Sequence, residues 1–356
     1  MKLNNIGILT FLTLMFVWSS TSHAQNHEII HGVIDGAPFK VVTPEGWNGG
    51  NLFFHVHGWR PADAPHEADL HIDDPFYQEI LNAGWAIGRT AFVENGVDHD
   101  AHTKDLYKLK EWVDENLGTV DRLIMEGEST AGTLMLRIAE QNPGLADGVI
   151  AKGAFIRFDD ETHDSYLEAT PAIPAILMSN LSELEGPLAY TTKAQHAEIM
   201  PAPRPLLRVG HVNVNWKERR DAFNAMNNWL DTGETEYLTE GTQTLPDRET
   251  NTEKSERSIT NKVIDINPFY GNAFLNFHPD EFAEFGIHTG DDFLVKAHGN
   301  YWKVHYGQSY GDVSLGEWVA FPTASDTIML VRYHESATET AELTIGDAVS
   351  VFRLAN

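Results

Sequence analysis

Gly127-Glu128-Ser129-Thr130-Ala131-Gly132 is the stretch whose surroundings decide the fold. The apolar run 122–125 before it is expected as a short strand, and 130–141 after it has the spacing of a helix with one buried face. A serine held between strand and helix needs a sharp turn, and small residues two positions to either side permit it. Gly127 and Ala131 meet that need, with Ala131 standing where a second glycine is usual. At a helix amino end the N–H of Thr130 can face an oxygen that gains negative charge beside Ser129. Ser129 is therefore the candidate nucleophile.

Outward from this turn, 31–230 alternates short apolar runs with longer amphipathic ones, the pattern of an α/β domain. Strands are expected at 51–56, 85–92, 148–151 and 173–178, and helices at 105–117 and 221–230. Residues 232–260 are rich in Thr, Glu, Asp, Arg and Gly and poor in apolar residues, which suits a linker. Beyond 263 the period changes. Short strand-like runs at 293–296, 301–304, 318–321, 328–332 and 348–352 are separated by turn signals such as Gly311-Asp312 and Gly346-Asp347, as in a small all-β barrel or sandwich. The expected organisation is a leader at 1–24, an α/β domain at 25–235, a polar linker at 236–261 and a β-barrel at 262–356.

A serine nucleophile needs an oxyanion site, a base and an acid. His57-Gly58-Trp59 ends the strand 51–56, and the N–H of Trp59 is the expected second oxyanion donor. The apolar run 206–209 leads into Gly210-His211, just before the closing helix, so His211 is the candidate base. The acid is expected between serine and histidine in chain order. Glu183 and Glu185 follow the strand 173–178, and either carboxylate suits the role. Asp159, Asp160 and Asp164 compete less well, because they precede that strand.

Residues 30–230 resemble the bacterial α/β-hydrolase (serine esterase) families. The likeness is carried by VVTPEGWNG (41–49) with GNLFFHVHGW (50–59), LNAGWAIGRTAFVENG (81–96), GESTAG (127–132), ADGVIAKGAF (146–155) and RVGHVNV (208–214). It implies a mostly parallel sheet with flanking helices and a triad of Ser129, His211 and an acid. In those families an Asp usually stands nine residues past the strand's opening Pro; from Pro174 that position is Glu183, with Pro187 matching a common later Pro. Residues 262–354 resemble the carboxy-terminal β-barrel of the S-adenosylmethionine hydroxide adenosyltransferase family, through 265–272 (DINPFYGN) with Asn276, 286–291 (GIHTGD), 310–317 (YGDVSLGE) and Gly346-Asp347. That barrel helps enclose an adenosyl ligand, but nothing in this chain resembles the same family's amino-terminal domain.

Composition narrows the partners. Over 356 residues, 25 Lys and Arg stand against 52 Asp and Glu, a formal charge of −27. Such a surface repels phosphate backbones and anionic membranes, so nucleic acid is not an expected partner. There is no Cys, which removes disulfides, thiolate zinc sites and a Cys nucleophile. Lys2, the apolar run 6–18 and Ser22-His23-Ala24 form the three parts of a secretory signal peptide, so a periplasmic or extracellular protein is expected. No later run is long and apolar enough to span a bilayer. The expected function is hydrolysis of small or polymeric neutral esters, with no cofactor and no metal. One rival is a non-catalytic protein whose barrel binds a nucleoside-like ligand or a partner. Another is a metal-dependent hydrolase using His55 and His57 with His66, His71, His99, His102, Asp73, Asp74 and Asp100. Only 17 residues, 155–171, lie where the fold usually carries a cap. An open site is therefore expected, with Trp59, Phe155 and Phe158 as an apolar wall.

Overall fold

The computed structural model describes residues 27–238, 240–245 and 248–354; the expected signal peptide at 1–24 lies outside them. The first domain is one mixed eight-stranded sheet in the order β1-β2-β4-β3-β5-β6-β7-β8. Strands β1 (His27–Ile34) and β2 (Ala37–Pro44) form a hairpin whose turn, Asp35-Gly36, has positive φ at both positions (48° and 95°). β2 runs antiparallel to β4 (Ala86–Thr90). From β4 onward the neighbours β3 (Gly50–Val56), β5 (Val120–Glu128), β6 (Gly148–Lys152), β7 (Ala175–Asn180) and β8 (Ala202–Leu206) are all parallel.

Parallel central strands are buried on both faces, so they are continuously apolar and their alternate residues feed two cores. Phe53, Ile124, Ile150 and Ile176 pack against α1 (Pro75–Asn82) and α5 (Trp216–Thr232). Their neighbours Phe54, Met125, Ala151 and Leu177 pack against α2 (His99–Asn116) and α3 (Thr130–Gln141), joined by Tyr190 of α4 (Glu185–Lys193). The helix expected at 105–117 starts six residues earlier, at His99, because the Asp98 side chain accepts the Ala101 N–H and caps it. The helix expected at 221–230 likewise starts at Trp216, behind an Asn215–Glu218 capping box. The apolar run 206–209, which has the look of a short strand, mostly follows one: β8 is 202–206, and its Pro203 and Pro205 are tolerated because it is the edge strand.

The second domain is a closed barrel. β10 (Ser258–Asn267), β11 (Asn272–Leu275), β15 (Ile328–Arg332), β14 (Trp318–Pro322), β13 (Asn300–Tyr306), β12 (Asp292–Ala297) and β16 (Ala348–Arg353) follow one another around it, and β16 returns to β10. Two short helices, α6 (Pro279–Glu284) and α7 (Ala337–Ala341), accompany it. Its interior holds Val263, Leu275, Phe293, Val304, Leu330 and Val351. The segment expected as a linker at 236–261 carries ordered structure in its described part. Thr242 pairs with the free edge of β8 at Leu206, Arg248 bonds Asn276 and the carbonyls of Phe277 and Asp326, and β9 (Glu253–Lys254) pairs with β10. Polar composition did not prevent order here, because these residues pair through backbone and charge rather than by burying apolar surface.

Candidate active site

Ser129 sits at the end of β5 with φ 57° and ψ −122°, in the left-handed region that non-glycine residues rarely occupy. Such backbone costs about 1–3 kcal/mol and persists only where the surroundings enforce it. Here its N–H donates to the Lys152 carbonyl of β6 at 2.8 Å. A methyl on Gly127 would lie 2.3 Å from the Ala131 carbonyl oxygen, and one on Gly132 2.7 Å from the Lys152 carbonyl oxygen. Glycine is thus demanded at 127 and 132, while position 131 has room for a buried alanine. That accounts for the departure from the usual pattern.

His211 lies in the loop beyond β8, between Gly210 (φ 123°) and Val212 (φ 51°). Its Nε2 is 2.7 Å from Ser129 Oγ, and its Nδ1 is 2.5 Å from Glu183 Oε2. An ionised carboxylate only accepts, so Nδ1–H donates to Glu183 and Nε2 is left to accept from the serine hydroxyl. The second Glu183 oxygen accepts the Val212 N–H at 3.3 Å. Glu185 begins α4, and the structure brings Glu183 rather than Glu185 to the imidazole. Asp159 and Asp160 stay in the polar insert, bonded to Arg157 and Thr162.

The serine reaches this pair through supports that sequence reasoning missed. Buried Asn180, at the end of β7, accepts the Asn213 N–H at 2.8 Å and donates to the Asn213 carbonyl at 3.0 Å, fastening the acid loop to the base loop. Gly153, with φ 57°, passes beneath both; a methyl there would meet Val212 at 2.9 Å and Glu183 and His211 at 3.3 Å. A glycine directly after a strand that follows the elbow helix was the available signal.

On the other side of Ser129, Gly58 closes the space beneath the loop 57–59, the candidate oxyanion loop. A methyl on it would lie 2.8 Å from the Glu128 carbonyl oxygen and 2.9 Å from Ser129 Cβ. Among the described residues the N–H groups of Trp59 and Thr130 have no protein acceptor. The Trp59 carbonyl accepts from Tyr270 of the barrel at 2.5 Å. Neighbouring Arg60 lies under the Phe269 ring, 3.8 Å from its centre.

Beneath the elbow lies a buried charge network. Glu126 on β5 is bound by Arg219 at 2.6 Å and Lys152 at 3.3 Å. Burial alone would raise its pKa, but these two cations outweigh it and hold it at about 2. Glu128, partly exposed beside Ser129, is likewise held well below the carboxylate range, because Lys152 and His55 outweigh its burial. His55 receives Tyr77 Oη–H at 2.5 Å and the Arg89 guanidinium at 3.0 Å on Nδ1. Burial, with Arg89 adding to it, lowers its pKa to about 4. His57 donates from Nδ1 to the Gly58 carbonyl at 2.8 Å, and His66 bonds the Phe92 carbonyl at 2.9 Å through Nε2. Among the described residues no three His, Asp or Glu side chains converge on a point that would hold a metal ion. These histidines tie loops together instead, His55 and His57 from buried positions.

Ser129 opens into a cleft of about 830 Å³ between the two domains, bordered by Gly58, Trp59, Ser129 and His211 on one side and the barrel on the other. The interval 155–171 holds no helix, but the barrel stands where an open face was expected. Phe155, half exposed, lies 5.0 Å from the His211 ring. Phe158 instead packs onto the sheet core under Lys193 and is not part of the wall.

Strand order, the antiparallel second strand and the strained serine turn between a central strand and its helix settle the architecture. The fold is that of the α/β-hydrolases, followed by a closed barrel. No protein-family model and no curated protein sequence matches the chain. Among solved structures it is similar to an uncharacterized conserved protein from Thermotoga maritima (19% identity, 36% of this chain and 49% of that one, TM-score 0.28). It is also similar to the acylaminoacyl peptidase of Pyrococcus horikoshii (13% identity, 60% and 43%, TM-score 0.45). Brefeldin A esterase, a bacterial homologue of human hormone sensitive lipase, is a third (15% identity, 63% and 78%, TM-score 0.40). The matches span less than half the length of the first two.

Proposed function

We propose that the protein is an exported serine hydrolase that cleaves neutral carboxylic esters through an acyl-enzyme on Ser129. The observation that carries the reading is the continuous hydrogen-bond chain Ser129–His211–Glu183, at 2.7 and 2.5 Å, starting from a strained elbow. In this mechanism Ser129 Oγ attacks the acyl carbon while His211 Nε2 takes its proton. The N–H groups of Trp59 and Thr130 receive the oxyanion. Collapse of the tetrahedral intermediate breaks the bond to the alcohol oxygen, which leaves with the proton from Nε2. Water then attacks the acyl group, His211 again acting first as base and then as acid, and the carboxylic acid is released. Glu183 keeps the imidazole in the tautomer this requires and offsets its charge when protonated.

The ester, rather than a charged substrate, is supported by the net charge of −27 and by Glu128 at the cleft. Export is supported by the sequence of 1–24, which carries the three parts expected of a signal peptide. Barrel residues 267–272 and 310, within the stretches that carry the adenosyltransferase resemblance, border the cleft. This reading assigns them to the ester site, with no adenosyl ligand. The test is labelling by a fluorophosphonate probe together with hydrolysis of a panel of acyl and aryl esters. Labelling that maps to Ser129 and disappears in Ser129→Ala is expected. Absence of labelling, or activity lost to EDTA and restored by zinc, overturns the reading.

A further inference from the structure

The outer face of a small barrel meets water, so along its strands inward apolar residues should alternate with outward polar ones. Three adjacent strands break that rule at one level. Ala273 and Leu275 of β11, Ile328 and Leu330 of β15, and Ala320 of β14 point into the barrel core. Phe274 and Met329 lie between these pairs and Phe321 follows Ala320, and the three are cross-strand neighbours: Phe274 pairs with Met329, and Met329 with Phe321. They therefore form an apolar row on the outside of the barrel. Tyr310 extends it, its ring edge-to-face with Phe321 at 5.2 Å and its hydroxyl 3.9 Å from Met329 Sδ. All four border the cleft that contains Ser129 and His211.

Phe321 is buried here with Val319 and Val331, under Tyr310 and Val313, in a small apolar cluster on the barrel's outer face; that cluster backs the row, and Phe274 and Met329 are the residues it presents to the cleft. Phe274 and Met329 remain half exposed. Arg332 and Glu335, which also border the cleft, neutralise each other. Aromatic rings and a thioether sulfur favour a flat, polarisable partner, and a cleft of about 830 Å³ has the size of sites that enclose drug-sized ligands.

We infer that the barrel's outer row of Phe274, Met329, Phe321 and Tyr310 is the specificity wall of the ester site, binding a flat aromatic group carried by the substrate. The inference rests on the ester-hydrolase reading and adds to it the class of substrate and the domain that selects it.

The test compares 2-naphthyl acetate with phenyl acetate, and methyl 2-naphthoate with methyl benzoate, on the full chain. A second fused ring buried on this wall should raise kcat/KM on the order of tenfold in at least one of the pairs. Phe274→Ala and Met329→Ala, both at outward positions, should bring that ratio towards one. Met329→Leu should keep it, and Tyr301→Ala, on a strand away from the cleft, serves as control. Binding of 2-naphthol to the Ser129→Ala protein, followed by its fluorescence, reads the same wall without turnover. Binding that weakens in Phe274→Ala is expected. A wild-type ratio near one in both pairs, a ratio untouched by both alanine variants, or 2-naphthol binding indifferent to Phe274 overturns the inference. Loss of Ser129 labelling with 2-naphthol binding intact would instead count against the hydrolase reading alone.

Discussion

Replacing Gly58 with alanine adds one methyl at the tightest point beneath the oxyanion loop. The backbone of Gly58 lies outside the left-handed region, so the cost is steric rather than conformational. The added carbon would sit 2.8 Å from the Glu128 carbonyl oxygen and 2.9 Å from Ser129 Cβ, where ordinary contacts begin at 3.4 Å. Neither neighbour is the free end of a flexible side chain: one is backbone, the other is the strained serine itself. The loop 57–59 must therefore withdraw by about 0.5 Å, carrying the Trp59 N–H away from the oxygen it is proposed to bind. A displacement of that order, or loss of one donor, costs roughly a hundredfold to a thousandfold in kcat. Overpacking adds a stability cost of about 1–3 kcal/mol. The assay is kcat and KM for phenyl acetate, beside the rate of fluorophosphonate labelling and Tm. A fall in kcat of about a hundredfold with KM little changed is expected, with labelling slowed in parallel. Wild-type kcat in a folded Gly58→Ala protein would refute the placement of the oxyanion site.

Three further outcomes follow from the same geometry. Glu183→Gln should lower kcat by several orders of magnitude, because an amide that donates to Nδ1 selects the wrong tautomer of His211; a dead Glu185→Gln beside an active Glu183→Gln would move the acid. Lys152→Met removes a cation shared by Glu126 and Glu128; breaking a buried pair costs about 3–5 kcal/mol, so Tm should fall by about 10 °C, and an unchanged Tm would contradict the network. Stability should also fall in mild acid. Burial, with nearby cations adding to it, holds His55 and His99 at about 4 against an ordinary 6.5. Each therefore contributes fully above pH 6.5 and loses that contribution as pH falls towards 4, about 2 kcal/mol each by pH 5. Glu126, held at about 2 against an ordinary 4.5, contributes above pH 4.5 and is lost only below it. Urea midpoints at pH 7.5 and pH 5 test this; equal midpoints would show that the two histidines are not buried as neutral groups.

What was legible from the sequence was what period and local chemistry write down. The elbow at 127–132, the strand before Gly58 and the Gly-His after the last strand each combine an apolar run with a small residue, and the structure sets them side by side. The residues alone left Glu183 as one of two choices, because both candidates follow the same strand, and only the count from Pro174 in the family resemblance favoured it; what separates them in the structure is a 3₁₀ turn at Leu181–Glu183 that points one carboxylate at His211 while the other enters a helix. Asn180 was invisible, since a side-chain amide that both accepts from and donates to the backbone of Asn213, 33 residues away, has no periodic signature. The polar segment before the barrel looked empty because composition reports on core-forming capacity, whereas Arg248 and Thr242 earn their positions through backbone carbonyls. Helix starts at His99 and Trp216 moved outward because capping side chains, not apolar residues, set them.

The barrel also braces the two loops on which the proposed chemistry depends. Tyr270 holds the carbonyl of Trp59, whose N–H is the proposed oxyanion donor. The Ala324 N–H donates to the Asn213 side chain, two residues from His211, and Asn215 returns a bond to the Ala324 carbonyl at 3.0 Å. One hairpin end of the barrel thus grips the proposed oxyanion loop, and the turn after β14 grips the loop that carries His211. Loops that extend from the carboxyl ends of parallel strands are mobile unless something outside the sheet restrains them. In a domain of this fold whose interval 155–171 holds no helix, a second domain is a physical means of supplying that restraint. The apolar row of β11, β15 and β14 borders the same cleft as Ser129, so bracing and the proposed substrate selection share one surface. A shift of the barrel would then move the oxyanion donor, the base and the aromatic wall together, which makes the site a property of both domains rather than of the sheet alone.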